Sequence, residues 1–340
     1  MKDVKVKTEK KRRSGWMNAL IAIAVMLAVI LLAAAVFYII PFTNQVDRAK
    51  LDGTADWMAD LDGDLTLDAI VLPGTHDSAT RYVQLGFFSK CQDLSIAEQL
   101  EAGYRYLDIR LGVNEGTLVL MHGFTFCRDG ALPWSPKLTA ERVLEQCYAF
   151  LKAHPDETVI FAVKQEHGKE SVAEFEKLLD TLIQKHRSAW LLTDEIPTLD
   201  EARGKLVLMR RYDDAAGLGT DSGIPMLWAD QGGSDDRTLH TASADNGSYV
   251  LWVQDRFEYE IEDKWRAFLD GMSEPGILEG EVAINFLSTK GSATYGHPWK
   301  YASILDQRLI GRDSAQLKGW IVIDFGSAGI ARHIYLANFR

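Results

Sequence analysis

Short apolar runs recur along the chain from residue 67 onward, and segments with helical spacing of apolar positions separate many of them. Runs rich in Val, Ile, Leu and aromatic residues have the length of buried strands. The eight predicted strands are Leu67–Leu72, Tyr104–Leu111, Thr117–Met121, Thr158–Lys164, Lys205–Arg211, Tyr249–Gln254, Glu281–Phe286 and Gly319–Phe325. The predicted helices are Ser95–Ala102, Thr139–His154, Ser171–Arg187 and Glu258–Leu269. Strands that alternate with helices predict a parallel α/β sheet.

The number of strands favours a barrel. Eight strands over about 270 residues match the size of a single (β/α)8, or TIM, barrel, which we assign to residues 66–340. A doubly wound sheet is the alternative, and it usually carries a glycine-rich phosphate loop after its first strand. The first predicted strand here leads instead into Pro73-Gly-Thr-His-Asp-Ser78, which is not such a loop.

The longest apolar run lies near the N-terminus. Residues 17–40 contain 24 residues without a charge, and a helix of that length spans about 36 Å, enough for a hydrocarbon core of about 30 Å. The basic segment 1–16 precedes the run, so we expect a cytoplasmic tail, a transmembrane signal-anchor helix and the predicted barrel outside the cytoplasm. Residues 41–65 are polar and acidic and predict a linker.

A cleaved signal peptide is the alternative to an anchor, and it would give a secreted protein. Signal peptides have a shorter apolar region, followed by a cleavage site of small residues. Here Ala33–Ala35 lie inside the run rather than beyond it, which favours the anchor.

The net charge of −11 is unevenly distributed. Residues 1–50 carry nine Lys and Arg residues against three Asp and Glu, which leaves 28 basic and 45 acidic residues for the rest of the chain. A strongly acidic body repels phosphate backbones and argues against nucleic acid as a partner. The basic excess at the N-terminus is therefore interpreted as orienting a membrane helix.

Three cysteines are present. Cys147 shares a predicted helix face with apolar residues and is expected to be buried. Cys91 and Cys127 both lie in predicted loops and could form a disulfide outside the cell. This pairing is a hypothesis.

Ionisable residues cluster where the predicted strands end, which in a barrel is the end that carries the active site. Seven of the eight strands end in, or lead into, such residues: His76-Asp77, Asp108 and Arg110, His122, Lys164, Arg210-Arg211, Asp255 and Asp324. A single charged residue at a strand end is usually only solvated. Two imidazoles, several cations and carboxylates together indicate a phosphodiester site, which needs a base, an acid and cations for the phosphoryl oxygens.

The imidazoles can serve as acid and base because their ordinary pKa is about 6.5. Each needs a carboxylate that fixes its tautomer, and Asp77 and Asp324 are available for that. No His-x-x-x-His, paired-Cys or Asp-rich motif indicates a metal site.

These motifs resemble the X domain of bacterial phosphatidylinositol-specific phospholipase C. The resemblance rests on Leu72-Pro-Gly-Thr-His-Asp-Ser78, Leu107-Asp-Ile-Arg110, Met121-His-Gly123 and Thr158-Val-Ile-Phe-Ala-Val-Lys164. It continues through Ala202-Arg-Gly-Lys-Leu-Val-Leu-Met-Arg-Arg-Tyr212, Val253-Gln-Asp-Arg256, Ile284-Asn-Phe286 and Gly319-Trp-Ile-Val-Ile-Asp324, and so covers roughly residues 67–340 in order.

The resemblance implies a distorted TIM barrel and a two-step, metal-independent reaction. It implies that phosphatidylinositol or glycosyl-phosphatidylinositol is cleaved to diacylglycerol and inositol 1,2-cyclic phosphate. His76 is implied as the general base on the inositol 2-hydroxyl, supported by Asp324. His122, with Asp77 as its partner, is implied as the acid that protonates the diacylglycerol oxygen.

The resemblance also assigns the charged groups around the substrate. Arg110 would stabilise the phosphoryl oxygens, held by Asp108. The residues implied to hold the inositol ring are Lys164, Arg211 and Asp255, with Phe257 where relatives have a Tyr. Phe keeps an apolar face and lacks the phenol hydroxyl, so the headgroup is less firmly implied than the reaction.

No cofactor and no metal are expected. Calcium-dependent eukaryotic relatives place carboxylates where this chain has Arg110 and Lys164, and a guanidinium at a calcium position repels the ion. The expected partners are a phosphoinositide or related phospholipid and the membrane reached through the N-terminal helix. Nucleic acid is not expected as a partner, and we expect a monomer.

Two other functions remain open from the sequence. One keeps the mechanism and changes the substrate to another phosphodiester whose alcohol has a neighbouring hydroxyl. The other is a catalytically silent barrel that binds a headgroup or a partner. Trp228 and Trp299 either insert into lipid or pack as aromatic residues of the barrel rim.

Overall fold

The computed structural model describes residues 2–38, 55–232, 240–243, 249–273, 281–293 and 296–339. Its strands are β1 Leu72–Thr75, β2 Tyr106–Asn114, β3 Thr117–His122, β4 Thr125–Phe126, β5 Val159–Gln165, β6 Trp190–Leu191, β7 Leu206–Arg210, β8 Ile224–Pro225, β9 His240–Ser243, β10 Val250–Gln254, β11 Glu281–Phe286 and β12 Trp320–Ile323. Its helices are α1 Lys2–Tyr38, α2 Gly86–Ser89, α3 Ile96–Glu101, α4 Ala140–Ala153, α5 Val172–Gln184, α6 Leu199–Ala202, α7 Ile261–Ser273, α8 Pro298–Ile310 and α9 Ala328–Tyr335.

Eight parallel strands form a curled sheet in the order β8-β7-β5-β2-β1-β12-β11-β10. The two-residue strand β6 also pairs in parallel with β7, along the first part of that strand. Among the described residues no strand pairing joins β8 to β10, and the Tyr249 hydroxyl donates a hydrogen bond to the carbonyl of Pro225 across this opening. The structure is therefore a distorted, incompletely closed TIM barrel, which confirms the predicted fold class.

Three strand predictions need correction. The predicted third strand is β3, which pairs antiparallel with β2 and lies outside the ring of parallel strands. The ring includes instead β8, whose two residues are too few to give an apolar run. The first predicted strand, Leu67–Leu72, is a 3-10 turn over Leu67–Ala69, and β1 begins at Leu72.

The four predicted helices correspond to α3, α4, α5 and α7. Side-chain oxygens of Ser95, Thr139 and Ser171 accept backbone N–H groups at the starts of the first three, so these caps set where the helices begin. Helices α2, α6, α8 and α9 were not predicted. Three of them have eight residues or fewer, too short for a helical pattern of apolar positions, whereas α8 has thirteen residues and begins at Pro298, a residue favoured at the first helical position.

Alternate strand residues face opposite layers of the structure. Tyr106, Ile160 and Trp320 belong to the apolar cluster that fills the barrel, whereas Leu107 and Phe161 belong to the cluster between the sheet and its helices. Because the side-chain period of a strand is two, Asp108 and Arg110 share a face of β2 with Tyr106 and project toward the barrel axis.

The segment from residue 55 packs against the N-terminal ends of the strands. The Trp57 ring stacks on Tyr335 with centroids 4.9 Å apart, and its indole N–H donates to the carbonyl of Gly103 at 2.9 Å. The described part of the predicted linker is therefore an integral part of the barrel base. Residues 39–54 lie outside the described residues.

Helix α1 contains the predicted anchor. Its stretch Gly15–Ala34 is long and apolar enough to cross a membrane and is exposed throughout. Residues 39–40, the end of the predicted span, lie outside the described residues.

The hypothetical disulfide is wrong. Cys91, Cys127 and Cys147 are all free and buried. Cys127 packs in the apolar cluster beneath α4, and the Cys91 thiol points to the carbonyl of Ser89 at 3.7 Å.

An ion pair lies buried at the barrel base. Arg105 and Glu157 are both fully buried, with Arg105 Nε 2.7 Å from Glu157 Oε2. The other Glu157 oxygen accepts the N–H of Met58 at 2.7 Å, and Arg105 also donates to the carbonyls of Leu100 and Ala55. The pair thus fastens the segment that starts at residue 55 to the start of β2.

We predict that Glu157→Gln lowers the free energy of unfolding by about 3–5 kcal/mol, because it leaves the Arg105 charge buried without a counterion. Denaturant titration followed by circular dichroism measures this. The matched control is Glu145→Gln, which breaks the exposed pair of Glu145 with Arg142 and should lower stability far less, because solvent screens an exposed pair. Equal losses in the two variants would contradict the prediction.

Candidate active site

Two neighbouring parallel strands bring a histidine and a carboxylate together. His76 follows β1 and Asp324 follows β12, and these strands pair in parallel up to Thr75 and Ile323. The N–H of His76 donates to the carbonyl of Ile323 at 2.9 Å. Just beyond this bond, His76 Nδ1 lies 2.8 Å from Asp324 Oδ1, so the carboxylate holds the Nδ1–H tautomer and leaves Nε2 facing the cavity.

Arg110 donates a hydrogen bond to Nε2, the other ring nitrogen of His76. Its Nη2 is 2.9 Å from His76 Nε2 and 3.1 Å from Asp108 Oδ2, and its Nη1 is 3.2 Å from Asp77 Oδ2. Arg110 projects from β2, the neighbour of β1 on the side opposite β12. Three consecutive strands of the sheet therefore supply the carboxylate, the imidazole and the guanidinium.

The second histidine reaches the site by a hairpin. Strand β2 continues four residues past Arg110 to Asn114, and β3 returns antiparallel and ends at His122. His122 Nδ1 lies 2.8 Å from the carbonyl of Ser89, which fixes a proton on Nδ1. His122 Nε2 lies 3.4 Å from Asp77 Oδ2.

Asp77 lies between the two imidazoles. Its Oδ2 is 3.5 Å from His76 Nε2 as well as 3.4 Å from His122 Nε2. Asp77 has the left-handed φ of 44°, a strained value for a residue with a Cβ. Burial raises the pKa of Asp77, while Arg110 and the histidines oppose that rise.

The pKa of His76 lies above its ordinary value. Burial by itself lowers this pKa and Arg110 lowers it further, but the attraction and hydrogen bond of Asp324 outweigh both. The carboxylate therefore makes the imidazole a stronger base than a free histidine.

Asp108 lies fully buried beneath the two guanidinium groups. Burial raises its pKa, but Arg110 and Arg211 lower it more, so the pKa lies well below its ordinary value and the group stays ionised. Arg211 Nη1 contacts Asp108 Oδ1 at 3.2 Å, and the N–H of Asp77 donates to Asp108 Oδ2 at 3.1 Å.

Arg211 also faces a second group of side chains. Its Nη2 is 3.8 Å from Asp255 Oδ2, and its guanidinium carbon lies 3.6 Å from the centre of the Trp228 ring. The Trp228 indole N–H donates to Asp255 Oδ2 at 3.1 Å. Trp228 and Trp299 are half-buried, the latter edge-on to Phe325, which agrees with packed rim aromatics.

The sequence analysis missed Glu166. Its Oε2 lies 3.3 Å from Lys164 Nζ, its Oε1 lies 3.9 Å from Arg110 Nη1, and Oε1 accepts the N–H of Gly123 at 3.0 Å. Burial raises the pKa of Glu166, but the charges of Arg110 and Lys164 lower it by more, so the pKa lies below its ordinary value. The period of two along β5 places Glu166 on the face of Lys164 and could have revealed it.

These side chains surround one cavity of about 640 Å³. Eight of the ten predicted site residues line it: His76, Arg110, His122, Lys164, Arg211, Asp255, Phe257 and Asp324. The other two, Asp77 and Asp108, lie buried against Arg110. Apolar residues, among them Leu85, Phe88 and Phe124, also line the cavity, so it offers a charged region and an apolar region to one ligand.

Two sets of donor atoms in this cavity are close enough to hold a metal ion. They are His76 with Cys91 and Asp324, and Asp77 with Cys91 and His122. The Arg110 guanidinium lies 2.9 Å from His76 and 3.2 Å from Asp77, and its positive charge opposes a cation at either set.

The sequence model of the family "Phosphatidylinositol-specific phospholipase C, X domain" matches residues 75–212. The chain is 27% identical over 290 residues to the 1-phosphatidylinositol phosphodiesterase of Staphylococcus aureus, which covers 79% of this chain and 88% of the relative. It is 31% identical over 167 residues to the enzyme of the same name from Listeria monocytogenes, covering 46% and 48%.

The fold is also found in a solved structure. A crystal structure of phosphatidylinositol-specific phospholipase C from Staphylococcus aureus superimposes with a TM-score of 0.70 at 23% identity, covering 84% of this chain and 98% of that one. The protein is thus a distorted TIM barrel with the fold of that enzyme. Its residues 75–212 are similar to the X domain of phosphatidylinositol-specific phospholipase C, and most of the chain is similar to a bacterial 1-phosphatidylinositol phosphodiesterase.

Proposed function

We propose that this protein cleaves phosphatidylinositol to diacylglycerol and inositol 1,2-cyclic phosphate. The supporting observation is that His76, His122 and Arg110 line one cavity, each within 3.5 Å of the Asp77 carboxylate. Both relatives compared above carry the name 1-phosphatidylinositol phosphodiesterase.

In the proposed reaction the inositol 2-hydroxyl attacks the phosphorus of its own molecule. His76 Nε2 takes the hydroxyl proton, a new bond forms between that oxygen and phosphorus, and the bond to the diacylglycerol oxygen breaks. Protonated His122 gives its Nε2 proton to the leaving oxygen, so the protons balance. Because the nucleophile belongs to the substrate itself, no translational or rotational entropy is lost in bringing two reactants together.

Arg110 has the electrostatic task. It faces His76 Nε2, the atom nearest the attacking oxygen, and can donate to the phosphoryl oxygens as their charge develops. Asp108 and Asp77 hold the guanidinium from behind, so it is oriented before the substrate arrives.

The inositol ring is assigned to the other end of the cavity. Lys164, Arg211 and Asp255 offer donors and acceptors to ring hydroxyls, and Phe257 offers an apolar face. Because Phe257 lacks a hydroxyl, a second candidate function keeps the mechanism on a glycosyl-phosphatidylinositol or another phosphodiester with a neighbouring hydroxyl.

We predict that His76→Ala and His122→Ala each reduce cleavage of phosphatidylinositol by ~10²–10⁴-fold or more, since each removes one proton-transfer group. Release of diacylglycerol from vesicles measures this, with circular dichroism as the check on folding. His186→Ala, at an exposed position of the outer surface, is the control and should keep full activity.

The wild-type protein should be compared on phosphatidylinositol, phosphatidylcholine and a glycosylated phosphatidylinositol. Cleavage of the glycosylated lipid alone would support the second function. Binding to vesicles without cleavage of any of the three lipids would contradict the enzyme proposal and favour a headgroup-binding barrel.

We predict that excess EDTA leaves the activity unchanged, because Arg110 supplies the positive charge that a metal ion would otherwise provide. Initial rates on phosphatidylinositol vesicles with EDTA, with added calcium and with neither should agree. Activity abolished by EDTA and restored by calcium would contradict the prediction.

The proposal places the barrel outside the cytoplasm and retains α1 as an uncleaved membrane anchor. Support comes from the uncharged stretch of α1 and the basic segment before it. N-terminal sequencing of the membrane-bound protein should find residues 1–40 present. A mature N-terminus near residue 41, with the protein in the medium, would establish a cleaved signal peptide instead.

A further inference from the structure

We propose that Gln92 is a positioning residue that holds the His76–Asp324 pair in its reactive geometry. The inference rests on the proposed function, because it assigns His76 as the base. Gln92 precedes α3, has no exposed surface and does not line the cavity, so it would act through the backbone rather than on the substrate.

The pairing of β1 with β12 stops just before the two reactive residues. The last backbone bond runs from the N–H of His76 to the carbonyl of Ile323. Past this point the two chains need another connection if the His76 and Asp324 side chains are to keep their 2.8 Å contact.

The Gln92 carboxamide makes this connection. Its Nε2 donates one N–H to the carbonyl of His76 and the other to the carbonyl of Ile323, both at 2.9 Å. Its Oε1 accepts the N–H of Gly326 at 3.1 Å. Both amide protons and the amide oxygen therefore form hydrogen bonds with backbone atoms next to the reactive pair. A buried carboxamide needs such partners, because an unpaired buried polar group is costly.

The backbone at these positions is strained. Asp77 and Phe325, which directly follow His76 and Asp324, have φ of 44° and 50°. Residues with a Cβ keep such values only where surrounding contacts impose them. Gln92 contacts the peptide before Asp77 and the peptide after Phe325, and the neighbouring carbonyl of Cys91 accepts the N–H of Phe325 at 2.6 Å.

The chain offers a matched control at the opposite end of β1. The Asn338 carboxamide accepts the N–H of Val71 at 2.8 Å and donates to the carbonyls of Val71 and Tyr335 at 2.9 and 3.0 Å. It therefore makes the same number of backbone bonds as Gln92, but at the barrel base. A purely structural role predicts similar behaviour for the two residues.

The test compares Gln92→Met with Asn338→Leu, which remove the hydrogen bonds and keep the approximate size. Two readouts are used: kinetics on phosphatidylinositol vesicles, and NMR titration of His76 in the protein without substrate. Gln92→Met should lower kcat ~10–100-fold with KM nearly unchanged, since small displacements of reacting groups have effects of this order. Its His76 should titrate at lower pH, because Asp324 then supports it less.

Asn338→Leu should lower stability while leaving kcat and the His76 titration as in wild type. The proposal is overturned if Gln92→Met leaves the His76 titration unchanged or if both variants shift it equally. Should wild type fail to cleave phosphatidylinositol, the proposed function fails, whereas the titration still decides the role of Gln92.

A second variant covers the case in which Gln92→Met does not fold. Gln92→Glu keeps the length and the acceptor for Gly326, and its protonated form can donate one hydrogen bond. Its ionised form has no donor for the two carbonyls, so its activity relative to wild type should fall by a further tenfold or so as pH rises through the carboxyl pKa. A ratio independent of pH, together with an unchanged His76 titration, would overturn the proposal.

Discussion

The ionised, fully buried carboxylate of Asp108 is the constraint on which the rest of the site depends. Two guanidinium groups repel each other when they share a cavity. Asp108 contacts both Arg110 and Arg211 and also accepts the N–H of Asp77. Burial of a carboxylate is costly unless it is paired and hydrogen-bonded, and here every one of these partners belongs to the reactive cluster. One group therefore links Arg110, which lies beside His76, with Arg211, which lies beside Asp255.

The same arrangement places three cationic side chains at the cavity of an acidic protein. The body of the chain has a large excess of carboxylates, which opposes nonspecific attraction to anionic surfaces. Arg110, Lys164 and Arg211 line the cavity, while Asp77, Asp108 and Glu166 lie against them. Net charge thus describes the outer surface, and local pairing determines the chemistry of the site.

Much of the site could be predicted from the sequence because parallel strands end at one edge of the sheet. Ionisable residues at those ends converge whatever the details of packing, and eight of the ten predicted residues line the cavity. The prediction that His122 follows a parallel strand of the barrel was wrong, since β3 is antiparallel and forms a hairpin with β2. Its neighbour in space is Ser89, 33 residues away in the chain, and local patterns carry no information about such contacts.

Local patterns in the chain are enough to predict the alternation of strands and helices, the apolar N-terminal helix and the residue types at the strand ends, because side-chain periodicity and charge are local properties. Which groups pair became visible with the tertiary structure. It showed that Glu166 and Trp228 hold the cations, that Cys91 and Cys127 remain free thiols, and that Gln92 joins the ends of β1 and β12. Hydrogen bonds and ion pairs depend on distances between segments remote in the chain, and those distances exist only after the barrel has folded.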